Sequence, residues 1–84
     1  MASLILRPTT IKHEKGGWLV HGSWGKRTYP PMSKVEFYRR LHRELIDSGI
    51  LPLDSPAPSN QYHQHVTMAV MHCSWTDGRW ISDG

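Results

Sequence analysis

Ser33-Lys34-Val35-Glu36-Phe37-Tyr38-Arg39-Arg40-Leu41-His42-Arg43-Glu44-Leu45-Ile46-Asp47-Ser48-Gly49-Ile50 carries the signals of a helix with both ends marked. Ser33 followed three residues later by Glu36 is a capping box, in which each residue satisfies an amide that the first turn leaves unpaired. Met32 and Phe37 stand where a hydrophobic staple sits. Helical spacing puts Phe37, Tyr38, Leu41 and Leu45 on one side, with Val35 and Ile46 at its margin. Glu36, Arg39, Arg40, Arg43 and Asp47 fall on the other side. Gly49 suits the left-handed position just past a helix end, where Ile50 can touch Leu45. Pro52 prevents continuation. The spacing predicts a helix over residues 34–48.

Upstream, residues 3–29 read as a β meander. Ser3-Leu4-Ile5-Leu6 and Thr9-Thr10-Ile11 contain β-favouring residues interrupted by Pro8. Glu14-Lys15-Gly16-Gly17 is a turn, and Trp18-Leu19-Val20-His21 returns as a strand. A second reversal at Trp24-Gly25-Lys26 leads into Arg27-Thr28-Tyr29. Downstream, the proline-rich residues 54–60 form a loop. Residues 61–82 are a strand or hairpin, with a helix over the first half as the alternative. Val66, Met68 and Val70 fit a strand face, whereas Tyr62, Val66, Ala69, Val70 and Cys73 fit a helix face. Asp77-Gly78 is a two-residue hairpin turn that sets Trp75 opposite Trp80, which favours one strand over residues 63–75 and another over 79–82.

These elements sum to one α+β domain spanning residues 1–84, in the order β-β-β-α-β-β. The expected architecture is an antiparallel sheet of four to five strands on one amphipathic helix. Phe37, Tyr38, Leu41 and Leu45 are expected to face Trp18, Val20, Val66, Met68 and Val70. The chain has 84 residues, enough for a small core but not for a large enclosed cavity. The composition, 38% hydrophobic and 20% charged, is that of an ordinary folded protein. The single cysteine rules out an internal disulfide. No apolar run approaches the length of a membrane span or a secretory signal core, so a cytoplasmic location and no membrane partner are expected.

No catalytic constellation assembles from the pattern. Six histidines are many for this length, but His63, His65, His72 and Cys73 lack the spacing of one metal site. On a strand, His63 and His65 share a face while Cys73 lies about 26 Å further along. Cys73 and its neighbour His72 point opposite ways on a strand, so Cys73 reads as a small core residue rather than a nucleophile. The seven carboxylates form no pair suited to acid–base work. Neither Gly16-Gly17 nor Gly22-Ser23-Trp24-Gly25-Lys26 has the form of a phosphate cradle. The expectation is a protein that is not an enzyme, with no cofactor, no metal and no catalytic residue.

Charge and aromatic placement point instead to contact. Residues 9–48 hold eight Lys and Arg against four acids, a local charge of +4, and the remainder carries −1. On the helix, Glu36 with Arg40, Arg40 with Glu44, and Arg43 with Asp47 are four apart and can pair. Lys26 and Arg27 have no acid nearby in sequence and form the least compensated point. Trp24 beside a glycine and Trp80 near the C-terminus are expected to be partly exposed, as interface anchors are. Trp18 and Trp75 are expected in the core. The expected binding residues are Trp24, Lys26, Arg27, Arg39, Arg40, Arg43 and Trp80.

The run Gly17-Trp18-Leu19-Val20, Gly25-Lys26-Arg27-Thr28-Tyr29 and Ser33-Lys34-Val35-Glu36-Phe37 resembles, in its order of strands, turn and helix, the arm-type DNA-binding module that precedes phage integrases. The resemblance covers about half of the chain, and the long C-terminal segment departs from it. The size and the lack of catalytic motifs also resemble the small regulators and inhibitors of phages and mobile elements. The leading expectation is a non-catalytic binding protein that docks on an acidic protein surface, such as nucleic-acid-handling machinery, and regulates or inhibits it. The alternative is direct nucleic-acid binding through the basic turn and helix. A metal-dependent or Cys/His enzyme is the third reading.

Overall fold

Tertiary structure builds first on two hairpins at the start of the chain. The structure, a computed structural model, describes residues 8–58 and 63–83. The strands are β1 (Thr10–Glu14), β2 (Gly17–Gly22) and β3 (Gly25–Tyr29). They form an antiparallel sheet in the order β1-β2-β3, with Glu14 opposite Gly17 and Gly22 opposite Gly25. Strand alternation then sorts the side chains. Trp18, Val20, Arg27 and Tyr29 lie on one face, and Lys12, Leu19, Lys26 and Thr28 on the other. The expected strand at residues 3–6 lies outside the described residues.

Helix α1 (Lys34–Asp47) covers the first face. Ser33 Oγ accepts the Glu36 amide at 3.2 Å, the expected N-terminal cap. At the other end, the Gly49 amide donates to Ile46 and the Ile50 amide to Leu45, both at 2.9 Å. With Gly49 at φ 78°, these two bonds make a Schellman motif. The amphipathic pattern resolves as read: Phe37, Tyr38, Leu41 and Leu45 are buried. Phe37 stacks on Trp18 with ring centroids 4.4 Å apart.

Residues 63–75 do not form a continuous strand. His63–Val70 is a second helix, α2, and only Cys73–Thr76 is extended, as β4. Its buried positions are His63, Val66 and Val70, spaced by three and four. A strand would have sent Met68 inward beside Val66 and Val70; the helix leaves Met68 59% exposed. The alternative helix reading therefore holds for residues 63–70. Residues 59–62, including the first two positions of the expected C-terminal element, lie outside the described residues.

β4 and β5 (Arg79–Ser82) form a separate two-stranded antiparallel sheet. Asp77 and Gly78, at φ 54° and 78°, make the tight turn that the sequence demands. Trp75 lies opposite Trp80 and Thr76 opposite Arg79. The fold is thus α+β with sheets of three and two strands and two helices, rather than one sheet of four to five strands on one helix. The physical reason is α2. It satisfies its backbone internally and returns the chain across Tyr38, so β4 begins as a fresh hairpin. Thr9 ties the two parts together. Its amide donates to Met71 O at 3.3 Å and its hydroxyl to Cys73 O at 2.8 Å.

Candidate functional site

The expected binding residues separate into three groups. Lys26 and Arg27 are neighbours on β3 and therefore face opposite sides of the sheet. Lys26 is exposed on the outer face. Arg27 points to the helix side, where it has the acid that sequence proximity did not offer. Its guanidinium meets the Glu44 carboxylate twice, at 2.6 and 3.2 Å. It also donates to the Tyr29 hydroxyl at 2.8 Å and lies 3.9 Å from the Trp75 ring centroid. Burial alone works to lower the Arg27 pKa, but Glu44 and Tyr29 more than offset it and raise the value. Burial first, and then the bond to Glu44, holds the Tyr29 hydroxyl in its neutral form. Arg27 is therefore not the uncompensated charge expected at this turn.

Trp80 is fully buried, not partly exposed. Its indole N–H donates to Glu44 Oε1 at 3.1 Å, and its ring meets Trp24 and Trp75 edge-on. Three residues before the end of the described chain, a tryptophan at this position reads as partly exposed; docking of β5 against α1 makes it central. Trp24 is half-buried and donates to Thr9 Oγ1 at 3.0 Å. Trp18 lies in the core as expected, whereas Trp75 is only partly buried.

Arg39, Arg40 and Arg43 remain exposed on the outward face of α1. Glu44 is turned inward to Arg27, which removes one of the two local acids expected for Arg40. Arg39 and Arg43 line an open groove of about 390 Å³ together with His42, Ile46, Asp47 and Leu53. Leu53 is 91% exposed at its edge. A second depression, of about 450 Å³, is lined by Pro8, Thr10, His21, Gly22 and Ser23 and has no lysine or arginine in its wall. The α1 groove is therefore where cationic and exposed apolar side chains meet.

A polar cluster adjoins that groove. His42 Nε2 and His65 Nε2 each lie 3.1 Å from Ser55 Oγ, which links α1, the loop after it and α2. His42 falls at the edge of the buried helix arc, four residues after Tyr38 and four before Ile46, so its inward placement is legible from periodicity. Its meeting with Ser55 and His65 has no signal in the sequence, because it depends on how α2 returns.

Two histidines favour their neutral state on folding. Burial, and then the nearby His65, lowers the His42 pKa. Burial, and then Lys34, lowers that of His63, whose ring stacks on Tyr38 at 4.3 Å. The unfolded chain therefore binds more protons than the folded one below the ordinary value of 6.5. Their contribution is fully present above that pH and is lost as pH falls through it towards the lowered folded values. With a chelator present, the melting midpoint should be lower at pH 5 than at pH 7.5, and the drop should shrink in His63→Gln. Equal drops in both proteins would count against a role for His63.

Cys73 lies in the core, as the sequence suggested. Burial, with some help from Asp83, pushes its thiol up to about 11. The thiol donates to Ala69 O at 3.3 Å. A thiol held protonated in this way is a poor nucleophile. Among the described residues, no group of three or more His, Cys, Asp or Glu is placed around one metal position. No helix among them is long and apolar enough to cross a membrane.

No protein family, curated protein or solved structure matches the chain. The site must be read from its own side chains.

Proposed function

We propose that the protein is a non-catalytic binding protein that docks on an acidic, partly apolar segment of a protein partner and regulates or blocks it. The observation that carries this reading is the pairing of Arg39 and Arg43 with the exposed Leu53 around one open groove. Guanidinium groups bind carboxylates in a planar, two-bond geometry, and an apolar anchor beside them adds area burial. Charge complementarity therefore favours an extended segment bearing Asp or Glu with a leucine-like side chain. A chain of this size acting by contact is of the kind that phages and mobile elements use as regulators and inhibitors, with a cytoplasmic protein as the target.

The nucleic-acid reading is the weaker of the two. Stacking on bases needs exposed ring faces, but Trp18 and Trp80 are buried and Trp24 and Trp75 are partly so. The basic residues are also divided, with Lys26 on the outer sheet face and the three arginines on the outer helix face.

The test uses a fluorescent peptide alternating glutamate and leucine, measured by anisotropy with a chelator present. Arg39→Glu with Arg43→Glu should weaken binding at least about tenfold, equivalent to roughly 1.4 kcal/mol. Leu53→Ser should weaken it severalfold, and none of these exposed changes should move the melting midpoint by more than a degree or two. Binding that is equal in all variants would sink the reading. Tighter binding to a DNA oligonucleotide than to the peptide, falling steeply with salt, would replace it with the nucleic-acid alternative.

A further inference from the structure

The Ser55 hydroxyl has one proton but two imidazole neighbours at the same distance, 3.1 Å. Both ring nitrogens lie within hydrogen-bond distance of that one oxygen. The Nε2 atoms of His42 and His65 therefore converge on one point from two different helices. They lie within twice that distance of each other.

We propose that His42, His65 and Ser55 form a binding site for a divalent transition-metal ion of the zinc class. The two Nε2 atoms supply the principal bonds, and the Ser55 oxygen with water completes the shell. Imidazole nitrogen is a preferred donor for Zn²⁺, Cu²⁺ and Ni²⁺, with zinc–nitrogen bonds of about 2.0–2.1 Å. Two nitrogens on one tetrahedral ion are about 3.4 Å apart, at those bond lengths. His42 is buried and fixed on α1, whereas His65 is exposed on α2. In this proposal the exposed His65 side chain is the part that moves toward the buried His42 when an ion binds.

The surroundings select among ions. Arg39 and Arg43 share the groove wall with His42 and disfavour any cation there, and Asp47 offsets part of that repulsion. A hard ion such as Mg²⁺ or Ca²⁺ needs several oxygen donors, and this cluster offers one hydroxyl. An ion that bonds strongly to nitrogen retains its advantage. Bound there, it replaces a hydroxyl-mediated link between α1 and α2 with direct bonds to both, so it stabilises the folded chain by mass action.

The other members of the C-terminal His/Cys group, whose spacing argues against a single metal site, take no part. His63, its neighbour in sequence to His65, stacks on Tyr38 within the core. His72 and Cys73 belong to the end of α2 and the start of β4, and Cys73 is buried.

The test is calorimetric titration of the whole chain with zinc sulfate at pH 7.5, alongside His65→Gln, His42→Gln and His72→Gln. One ion per chain is expected, with affinity at least tenfold weaker in His65→Gln and in His42→Gln and unchanged in His72→Gln. His65 is exposed, so its variant decides the matter even if His42→Gln does not fold. Absence of a saturable zinc site, or equal affinity in the parent and His65→Gln, overturns the proposal. The peptide assay with chelator stands or falls separately, so failure of one reading is distinguishable from failure of the other.

Discussion

Replacing Trp80 with alanine should destabilise the protein by about 4 kcal/mol, within the range for removing a buried tryptophan. A chain of this length has roughly 4–13 kcal/mol in total at ordinary stability per residue, so the loss takes from about a third to nearly all of it. The expectation rests on position as well as size. Trp80 is fully buried, and its backbone amide donates to Ser48 Oγ at 2.9 Å where α1 ends. Its indole N–H reaches Glu44, and Trp24 and Trp75 pack against it with centroids 5.8 and 5.1 Å away. The void left by alanine is walled by two large rigid rings, which cannot collapse far into it. Trp80→Phe keeps a ring but loses the N–H, and should cost only about 1–2 kcal/mol. Urea unfolding followed by circular dichroism distinguishes these outcomes. A Trp80→Ala protein within about 1 kcal/mol of the parent would mean that the β4–β5 hairpin contributes little to the core.

What could be read in advance was whatever short-range chemistry decides. Ser33 and Glu36 fix the start of α1 three residues apart, Gly49 and Ile50 fix its end within five, and Asp77-Gly78 sets the hairpin register. Residues 63–70 were ambiguous because Val66 and Val70 satisfy both periods; Met68, the residue that separates the two, carries too little hydrophobic preference to decide. The larger misreading was of charge. Arg27 has no acid within a helical turn or a hairpin of itself, but Glu44 is its partner 17 residues away. Trp80 lies 36 residues from the same carboxylate. Those meetings depend on how β3 and β5 dock against α1, which no local pattern encodes. Arg39 and Arg43 remained exposed because, among the described residues, no strand or second helix covers their side of α1. The meeting of His42 with His65 through Ser55 was invisible for a related reason: spacing within one segment compares His63 with His65, while the fold brings His65 to His42.

The second large effect is expected at Glu44, which accepts four hydrogen bonds from three side chains on two strands. Arg27 gives two, the Tyr29 hydroxyl one at 2.6 Å, and the Trp80 indole one at 3.1 Å. The ion pair is neither exposed nor fully buried, with side chains 26% and 18% accessible for Arg27 and Glu44. Its net contribution therefore lies above the 0–1 kcal/mol of a solvated pair and below the full penalty of a broken buried one. Glu44→Ala should cost about 3 kcal/mol, because it also leaves the Tyr29 and Trp80 donors without an acceptor. Glu44→Gln removes the charge but keeps an oxygen that Tyr29 and Trp80 can reach, so about half that loss is expected. The pair itself is isolated by a double-mutant cycle of Arg27→Met with Glu44→Gln, in which Met retains packing on Trp75. A coupling of about 1–2 kcal/mol is expected, weakly reduced by salt because water only partly surrounds the pair. A coupling below about 0.5 kcal/mol would place Arg27–Glu44 with ordinary surface pairs. The joints of both sheets with α1 would then owe their stability to apolar packing, with Phe37 on Trp18 and Tyr29 in one and Trp75 and Trp80 in the other.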